Sequence, residues 1–98
     1  MTNLVEFVIS DLYSARWADA KSDYIRSTPR QIGDRPYVVE VLVRKIAMAW
    51  WCEITISKQI EDGCVVDHDE FICGGANGPI RWDAVKEAVR DKVSPYLY

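Results

Sequence analysis

The sequence is poor in the residues that build cross-linked, metal-binding or nucleophilic sites, since its 98 residues include three Cys and one His. Cys52, Cys64 and Cys73 are odd in number, and no two of them lie two to four residues apart. This spacing argues against a secreted disulfide framework and against a zinc site. With His68 as the only imidazole, no Ser or Cys has a base and an orienting acid in a recognisable pattern. The sequence therefore predicts no metal, no cofactor and no catalytic residue, and we expect a protein that is not an enzyme.

The densest polar cluster is the run Asp67-His68-Asp69-Glu70. Carboxylates beside an imidazole could hold a divalent cation, or act as a general base with its conjugate acid. Charged clusters are more often exposed, and charges on an edge strand block edge-to-edge pairing. The sequence favours this second interpretation, so no chemical role is predicted for the run.

The chain also lacks long apolar stretches and an excess of positive charge. The longest apolar run, residues 46–52, has seven residues, whereas a membrane-spanning helix needs about 20. The N-terminus has no signal-peptide pattern, so we expect a cytoplasmic protein without a membrane partner. The formal net charge of −3 argues against non-specific phosphate binding, which requires an excess of Lys and Arg.

Two β-branched, apolar runs in the middle of the chain predict adjacent strands at residues 37–44 and 47–58. The second run alternates between an apolar face and a mixed face. Its apolar face consists of Met48, Trp50, Cys52, Ile54 and Ile56. A third strand is predicted at residues 64–73, after a turn at residues 61–63. The imperfect alternation of this strand predicts a bulge near residues 67–69.

Helical periodicity is found at both ends of the chain. Apolar residues recur at helical spacing from Asn3 to about Ala15, after which the pattern weakens, so the helix is expected to bend, break or change partner in its second half. Residues 27–36 contain two Pro and one Gly and predict a loop. A second helix is predicted at residues 80–93, with Pro79 in its first turn and Pro95 at its end. The order α-β-β-β-α predicts one α+β domain over residues 1–98, with a three-stranded antiparallel sheet flanked by N- and C-terminal helices.

This element order is similar to that of the double-stranded-RNA-binding domain. That family presents a lysine-rich start to its last helix, whereas residues 78–83 here read Gly-Pro-Ile-Arg-Trp-Asp. The basic residues Arg81, Lys86, Arg90 and Lys92 do not form one stripe along the predicted helix. The resemblance therefore concerns the order of the elements, and RNA binding is not carried over.

The side of the predicted sheet that faces away from the helices is the strongest candidate for a functional surface. If Trp50 faces the core, Trp51 faces away from it, and Val38 and Leu42 of the neighbouring strand point the same way. The charged residues around them are Glu40, Arg44 and Glu53. An exposed aromatic residue with aliphatic neighbours and a charged rim is typical of a protein interface. The alternative is that Trp51 is covered by residues 96–98, by the second half of the first helix or by a second copy of the chain.

An acidic stretch without a Lys or Arg follows the second predicted strand. Its acids are Glu61, Asp62, Asp67, Asp69 and Glu70. Such a stretch would complement a basic, nucleic-acid-handling surface of a partner protein. In its size, charge and lack of catalytic residues the chain looks like phage or mobile-element inhibitors of host complexes, anti-CRISPR proteins among them. The expected function is therefore that of a small protein-binding inhibitor domain.

Three other functions stay open, and one of them is an enzyme or metal protein centred on His68. Arg26, Arg30 and Arg35, with Tyr24 and Tyr37 nearby, could contact phosphates in a nucleic-acid-binding module. The outer side of the sheet could instead associate with a second copy, in a homodimeric structural or adaptor protein. A steep salt dependence of binding would distinguish the nucleic-acid-binding module, because phosphate contacts release counterions.

Overall fold

The computed structural model describes residues 3–18, 21–59, 64–75 and 78–97, which form an α+β fold with an antiparallel sheet. The elements in chain order are α1 (Asn3–Ala18), β1 (Tyr24–Arg26), β2 (Arg30–Gln31), β3 (Tyr37–Ile46), β4 (Ala49–Lys58), β5 (Cys64–Gly74), α2 (Trp82–Val93) and a short 3-10 helix (Ser94–Tyr96). The predicted class, with a helix at each end of the chain and an antiparallel sheet, is confirmed. The predicted strand number is wrong, because the sheet has five strands rather than three.

The two strands that the sequence did not predict, β1 and β2, occupy successive stretches of one edge of β3. β1 pairs with residues 42–44 and β2 with residues 38–39. Ser27 bridges the gap between them, since its Oγ accepts a hydrogen bond from the Val41 N–H at 2.9 Å and its own N–H donates to the Val41 carbonyl at 2.8 Å. The strands have three and two residues, too few to show alternation. The buried apolar residues of this segment are the isolated Ile25 and Ile32.

Both helices pack on one face of the sheet and enclose the hydrophobic core. The sheet contributes alternate residues of β3 and β4, which are Val39, Val41, Val43, Trp50, Cys52, Ile54 and Ile56. The helices contribute Val5, Val8, Leu12, Val85, Val89 and Val93. Complete burial of an aliphatic side chain stabilises a fold by about 1.5–3 kcal/mol. This face of the sheet therefore holds the fold together, and the opposite face is available for another role.

The helices differ in detail from their predicted bounds. α1 ends at Ala18, soon after the point at which the helical pattern weakens, and Tyr24 already belongs to a strand. α2 begins at Trp82 rather than at residue 80, and Pro79 precedes the helix instead of forming its first turn. Pro95 lies inside the 3-10 helix that continues from α2. Across the described residues, no helix has both the length and the apolar character needed to cross a membrane.

Strands β3 and β4 form a hairpin whose turn consists of Ala47 and Met48. Ile46 pairs with Ala49, so the turn has two residues, and their φ angles are 51° and 66°. Positive φ at both residues defines a type I′ turn, which Asn-Gly and similar pairs usually occupy. The prediction that Met48 belongs to the apolar face of the second strand is wrong, since its side chain is 59% exposed. Residues 46–52 are all apolar and include no Gly, Asn or Asp, so the sequence pattern gives no sign of a turn there.

Two register shifts in the pairing of β4 with β5 decide which β5 side chains face the helices. One shift leaves Val66 unpaired as a bulge residue. The predicted bulge near residues 67–69 is thus confirmed, and its unpaired residue is Val66. Asp67 and Asp69 consequently share the helix side of the sheet, whereas His68 and Glu70 face away from it. The predicted turn at residues 61–63 lies outside the described residues.

Candidate functional site on the outer face of the sheet

The outer face, defined as the side of the sheet away from α1 and α2, carries the six residues that the sequence placed there, Arg44 among them. Val38, Glu40, Leu42 and Arg44 lie on β3, Trp51 and Glu53 lie on β4, and all six are partly exposed. Ten successive residue pairs join the two strands, so a rigid backbone fixes these positions. Within the described ranges neither helix packs on this face, because the core to which both contribute lies on the other side.

Trp51 lines a shallow depression of about 270 Å³ on the central strand β4. The other lining residues are Arg44, Ile46, Ala47 and Glu70. Arg44 on β3 and Ile72 on β5 lie directly opposite Trp51 in the two neighbouring strands. The indole is therefore half-buried between a cationic and an aliphatic neighbour. This arrangement restricts its rotamers and leaves part of the side chain accessible to a partner.

The segments of this chain that could have packed over Trp51 lie elsewhere in the described structure. Tyr96 packs against Tyr37, with 4.9 Å between ring centroids, on the helix side of the sheet. Leu97 and α1 also pack against the core on that side. The last residue, Tyr98, lies outside the described residues. The described part of the chain thus leaves the outer face open around Trp51.

A connected set of polar side chains borders the depression. Arg44 Nε lies 2.8 Å from Glu53 Oε2, and both atoms are shielded from solvent, although the contact is an ion pair without hydrogen-bond geometry. The other oxygen, Glu53 Oε1, lies 3.7 Å from His68 Nε2. The second ring nitrogen, His68 Nδ1, shares a 3.1 Å hydrogen bond with Thr55 Oγ1. Glu53 is the least exposed charged group of this set, since only 15% of its side chain is exposed. Solvent therefore screens its charge less than the charges of the other residues in the set.

The strand register brings Glu70 directly opposite Glu53. With His68 they form a group in which one potential metal-ligand atom from each residue lies within 4.8 Å of the others. The sequence analysis had placed Glu53 in an interface and Glu70 in an acidic stretch, and it did not bring the two together. The available signal was the i, i+2 spacing of His68 and Glu70, which places both on one face of a strand. The register against β4 depends on which residue forms the bulge, and the sequence pattern gives its neighbourhood but not the residue, Val66.

The predicted acidic stretch does not form one surface. On the helix side, Lys92 Nζ lies 3.3 Å from Asp67 Oδ1 and 3.6 Å from Asp69 Oδ2. The Tyr96 hydroxyl donates to Asp67 at 3.1 Å. Partial desolvation of the Asp67 carboxyl is outweighed by the hydrogen bonds from Tyr96 and Lys92, which lower the pKa of Asp67. Glu70 alone of the described acids in this stretch reaches the outer face. The remaining predicted acids, Glu61 and Asp62, lie outside the described residues.

The three arginines predicted for nucleic-acid binding do not form one surface either. Arg26 lies on the outer face and pairs with Glu40 at 3.1 Å. Arg30 makes two 2.9 Å hydrogen bonds to Asp11 of α1, and its donation lowers the pKa of Asp11. Arg35 is exposed in the loop before β3. Two of the three guanidinium groups are thus held by carboxylates of the same chain.

A second exposed surface, which the sequence analysis did not single out, lies at the C-terminal end of α1. We call it the aromatic end and define it by Tyr13, Arg16, Trp17 and Trp82, which line a depression of about 360 Å³. Trp17 is 82% exposed, and the Tyr13 and Trp82 rings lie 5.7 Å apart. Arg16 stacks over the ring of Trp50 at 4.8 Å. The i, i+4 spacing of Tyr13 and Trp17 on the solvent side of α1 was the available signal.

Comparisons with known proteins add no assignment to these two surfaces. The chemistry and geometry of this chain alone must therefore support a function. The chain matches no protein-family model, no curated protein and no solved structure.

Proposed function

We propose that this chain is a protein-binding domain that uses the outer face of the sheet, with Trp51 and Leu42 as its anchors. The observation that carries the proposal is an open sheet face with an apolar centre and a charged rim, in which Arg26 pairs with Glu40 and Arg44 with Glu53. Fully desolvated aromatic anchors inside a polar rim supply most of the energy of typical protein interfaces. Trp51 would become such an anchor once a partner covers its exposed part.

The rigidity of this face supports the same function. β3 and β4 pair along their full length, and the Arg44–Glu53 contact fixes the charged neighbours of Trp51. Binding restricts side chains and loops, and each immobilised flexible side chain costs about 0.5–1.5 kcal/mol. A surface that is ordered before binding avoids much of this cost. The outer face is therefore better prepared for a specific contact than an exposed loop would be.

The finer function that we propose is inhibition of a nucleic-acid-handling complex, as anti-CRISPR proteins of phages and mobile elements do. The negative net charge of the chain would favour approach to a basic partner surface. Because Asp67 and Asp69 face Lys92 on the helix side, the contact would be mainly apolar at the outer face, with Glu70 as its acidic contribution. The non-enzymatic role and the origin of the chain stay predictions from the sequence.

The experiment that tests the proposal is affinity capture with Trp51→Arg and, as a matched control, Trp17→Arg. Both substitutions place a charge at a partly exposed indole, and circular dichroism would verify that each variant is folded. We expect a partner, identified by mass spectrometry, to be retained by the wild type and by Trp17→Arg and lost by Trp51→Arg. Loss with Trp17→Arg alone would move the interface to the aromatic end and contradict the proposal.

A second copy of the chain is the other candidate partner for this face, because an open apolar patch can be self-complementary about a two-fold axis. Sedimentation equilibrium distinguishes the cases. A dimer that Trp51→Arg dissociates would make the chain a homodimer, whereas a monomeric wild type would leave a different protein as the partner. Nucleic-acid binding is less well supported, since Arg26 and Arg30 are held by Glu40 and Asp11.

A further inference from the structure

We propose that Glu53, His68 and Glu70 bind a divalent transition-metal ion of the Zn²⁺ class on the outer face of the sheet. The inference is independent of the protein-binding function, because the ion requires only residues of this chain. The three side chains project from adjacent strands on the same side, with one donor atom of each within 4.8 Å of the others. They combine one imidazole with two carboxylates, a donor set that suits Zn²⁺ better than Ca²⁺ or Mg²⁺.

The separations of the donor atoms are close to those around a bound ion. Zinc bonds of about 2.0–2.2 Å in a tetrahedral arrangement place the ligand atoms about 3.4 Å from one another. His68 Nε2 and Glu53 Oε1 lie 3.7 Å apart, too far for a good hydrogen bond and near the distance that a shared ion requires. Small side-chain rotations of the exposed Glu70 would complete the site, and the fourth position would be open to water.

The imidazole is oriented for this role by a residue that would not itself bind the ion. Thr55 Oγ1 lies 3.1 Å from His68 Nδ1. When Nδ1–H donates to that hydroxyl, the proton is held on Nδ1 and the Nε2 lone pair is free on the side where Glu53 lies. Metal-binding histidines typically donate their second N–H to a neighbouring acceptor in this way. The contact therefore orients the ring, and it is compatible with the Nδ1–H tautomer that coordination through Nε2 needs.

The charges around the cluster also favour a cation. Glu53 and Glu70 are directly opposite across the two strands, and like charges in that position destabilise a sheet. Arg44 compensates the Oε2 atom of Glu53, which leaves Oε1 on the His68 side for the ion. Among the described residues, Glu70 has no salt-bridge partner, so its charge is not balanced within that part of the chain. A divalent ion between the carboxylates would offset this repulsion.

The test is calorimetric titration of the protein with ZnCl₂ in a Cys64→Ser background, because the exposed Cys64 thiol is itself a potential zinc ligand. We expect one ion per chain. His68→Ala and Glu70→Gln should each weaken binding by about tenfold or more. Asp69→Asn is the matched control, since this neighbour faces the helix side and should leave zinc affinity unchanged. Absence of stoichiometric binding, or equal affinity of His68→Ala and its parent, would overturn the proposal.

Nitrogen-15 NMR of the single histidine supplies a readout that a change in folding would not imitate. On zinc addition we expect the Nε2 resonance to shift to the value of a metal-bound nitrogen while Nδ1 remains protonated. Coordination through Nδ1, or an unchanged imidazole spectrum in the presence of saturating zinc, would contradict the site. Since His68 and Glu70 are exposed, both variants should fold, and their circular dichroism spectra would verify it.

Discussion

The two tryptophan-bearing surfaces of this molecule differ in how their side chains are held. On the outer face, Trp51 is half-buried between residues of neighbouring strands, and an ion pair to Glu53 fixes its neighbour Arg44. At the aromatic end, Trp17 is 82% exposed at the last turn of α1. Exposure alone favours the aromatic end as a binding surface, whereas order before binding favours the outer face. A side chain that is ordered before binding loses less entropy when a partner arrives.

The two sides of the sheet also differ in what their residues contribute. Its helix side is filled by aliphatic residues that the core requires, and its outer side holds a tryptophan, paired charges and a like-charge cross-strand pair. Polar and like-charged groups add little to the stability of a sheet. Their arrangement on one open face leaves that face for the external contact that we propose. The predictions below test whether the outer face is the more tightly organised of the two surfaces.

The largest expected change in stability comes from the hairpin turn that borders the depression at Trp51. The variant Ala47→Asn/Met48→Gly places the usual type I′ residues where the φ angles are 51° and 66°, which should stabilise the fold by about 2 kcal/mol. Loss of the Met48 side chain should cost little, because it is 59% exposed. Thermal unfolding measures the effect. A melting temperature at or below that of the wild type would contradict the expectation that the positive φ angles of Ala47 and Met48 cost stability.

A smaller effect is expected from removing one arginine from each surface. Arg44→Ala leaves the shielded Glu53 carboxylate without its cation and should destabilise the protein by about 1–2 kcal/mol, a value reduced because Arg44 is partly exposed. Arg16→Ala removes a cation–π contact with Trp50 and should cost about 0.5–1 kcal/mol. Urea unfolding of both variants gives the comparison. Equal losses, or a larger loss for Arg16→Ala, would contradict the view that the outer face is the better organised surface.

The smallest effect concerns a pair that belongs to neither surface. The hydrogen bond from Arg30 lowers the pKa of Asp11 below its usual 3.8, so the ionised carboxylate stabilises the folded state. This contribution is complete above pH 3.8 and is lost as the pH falls through the lower folded-state pKa. Asp11→Asn should therefore lower the melting temperature by a few degrees at most at pH 7. The difference from the wild type should vanish in strong acid, and a gap that persists there would exclude the charge as its cause.

The sequence predicted the outer face well because its signal is local. Alternation along β3 and β4 places Leu42 and Trp51 away from Trp50 whatever the pairing partner. The turn at Ala47 and Met48 was not predictable, since an apolar pair replaces the Asn and Gly that mark such turns. β1 and β2 escaped prediction because strands this short cannot show a period.

The cluster of Glu53, His68 and Glu70 was harder to foresee because it depends on long-range register. Glu53 and Glu70 are opposite only because the bulge at Val66 shifts β5 by one residue, and a shift of one residue exchanges the two faces of a strand. Strand alternation divides the acidic stretch, and the shift decides that Asp67 is on the helix side, where Lys92 lies. Similarly, the contact of Arg30 with Asp11 depends on the packing of α1 near the edge of β3. Neither feature has a sequence pattern of its own.

The measurement that tests the central claim most directly is fluorine NMR of the protein labelled with 5-fluorotryptophan, recorded with and without the captured partner. Single Trp→Phe variants would assign the four resonances. The account predicts that the Trp51 resonance shifts or broadens on binding while the Trp17 resonance stays unchanged. A spectrum in which Trp17 responds and Trp51 does not would contradict the claim that the outer face is the binding surface.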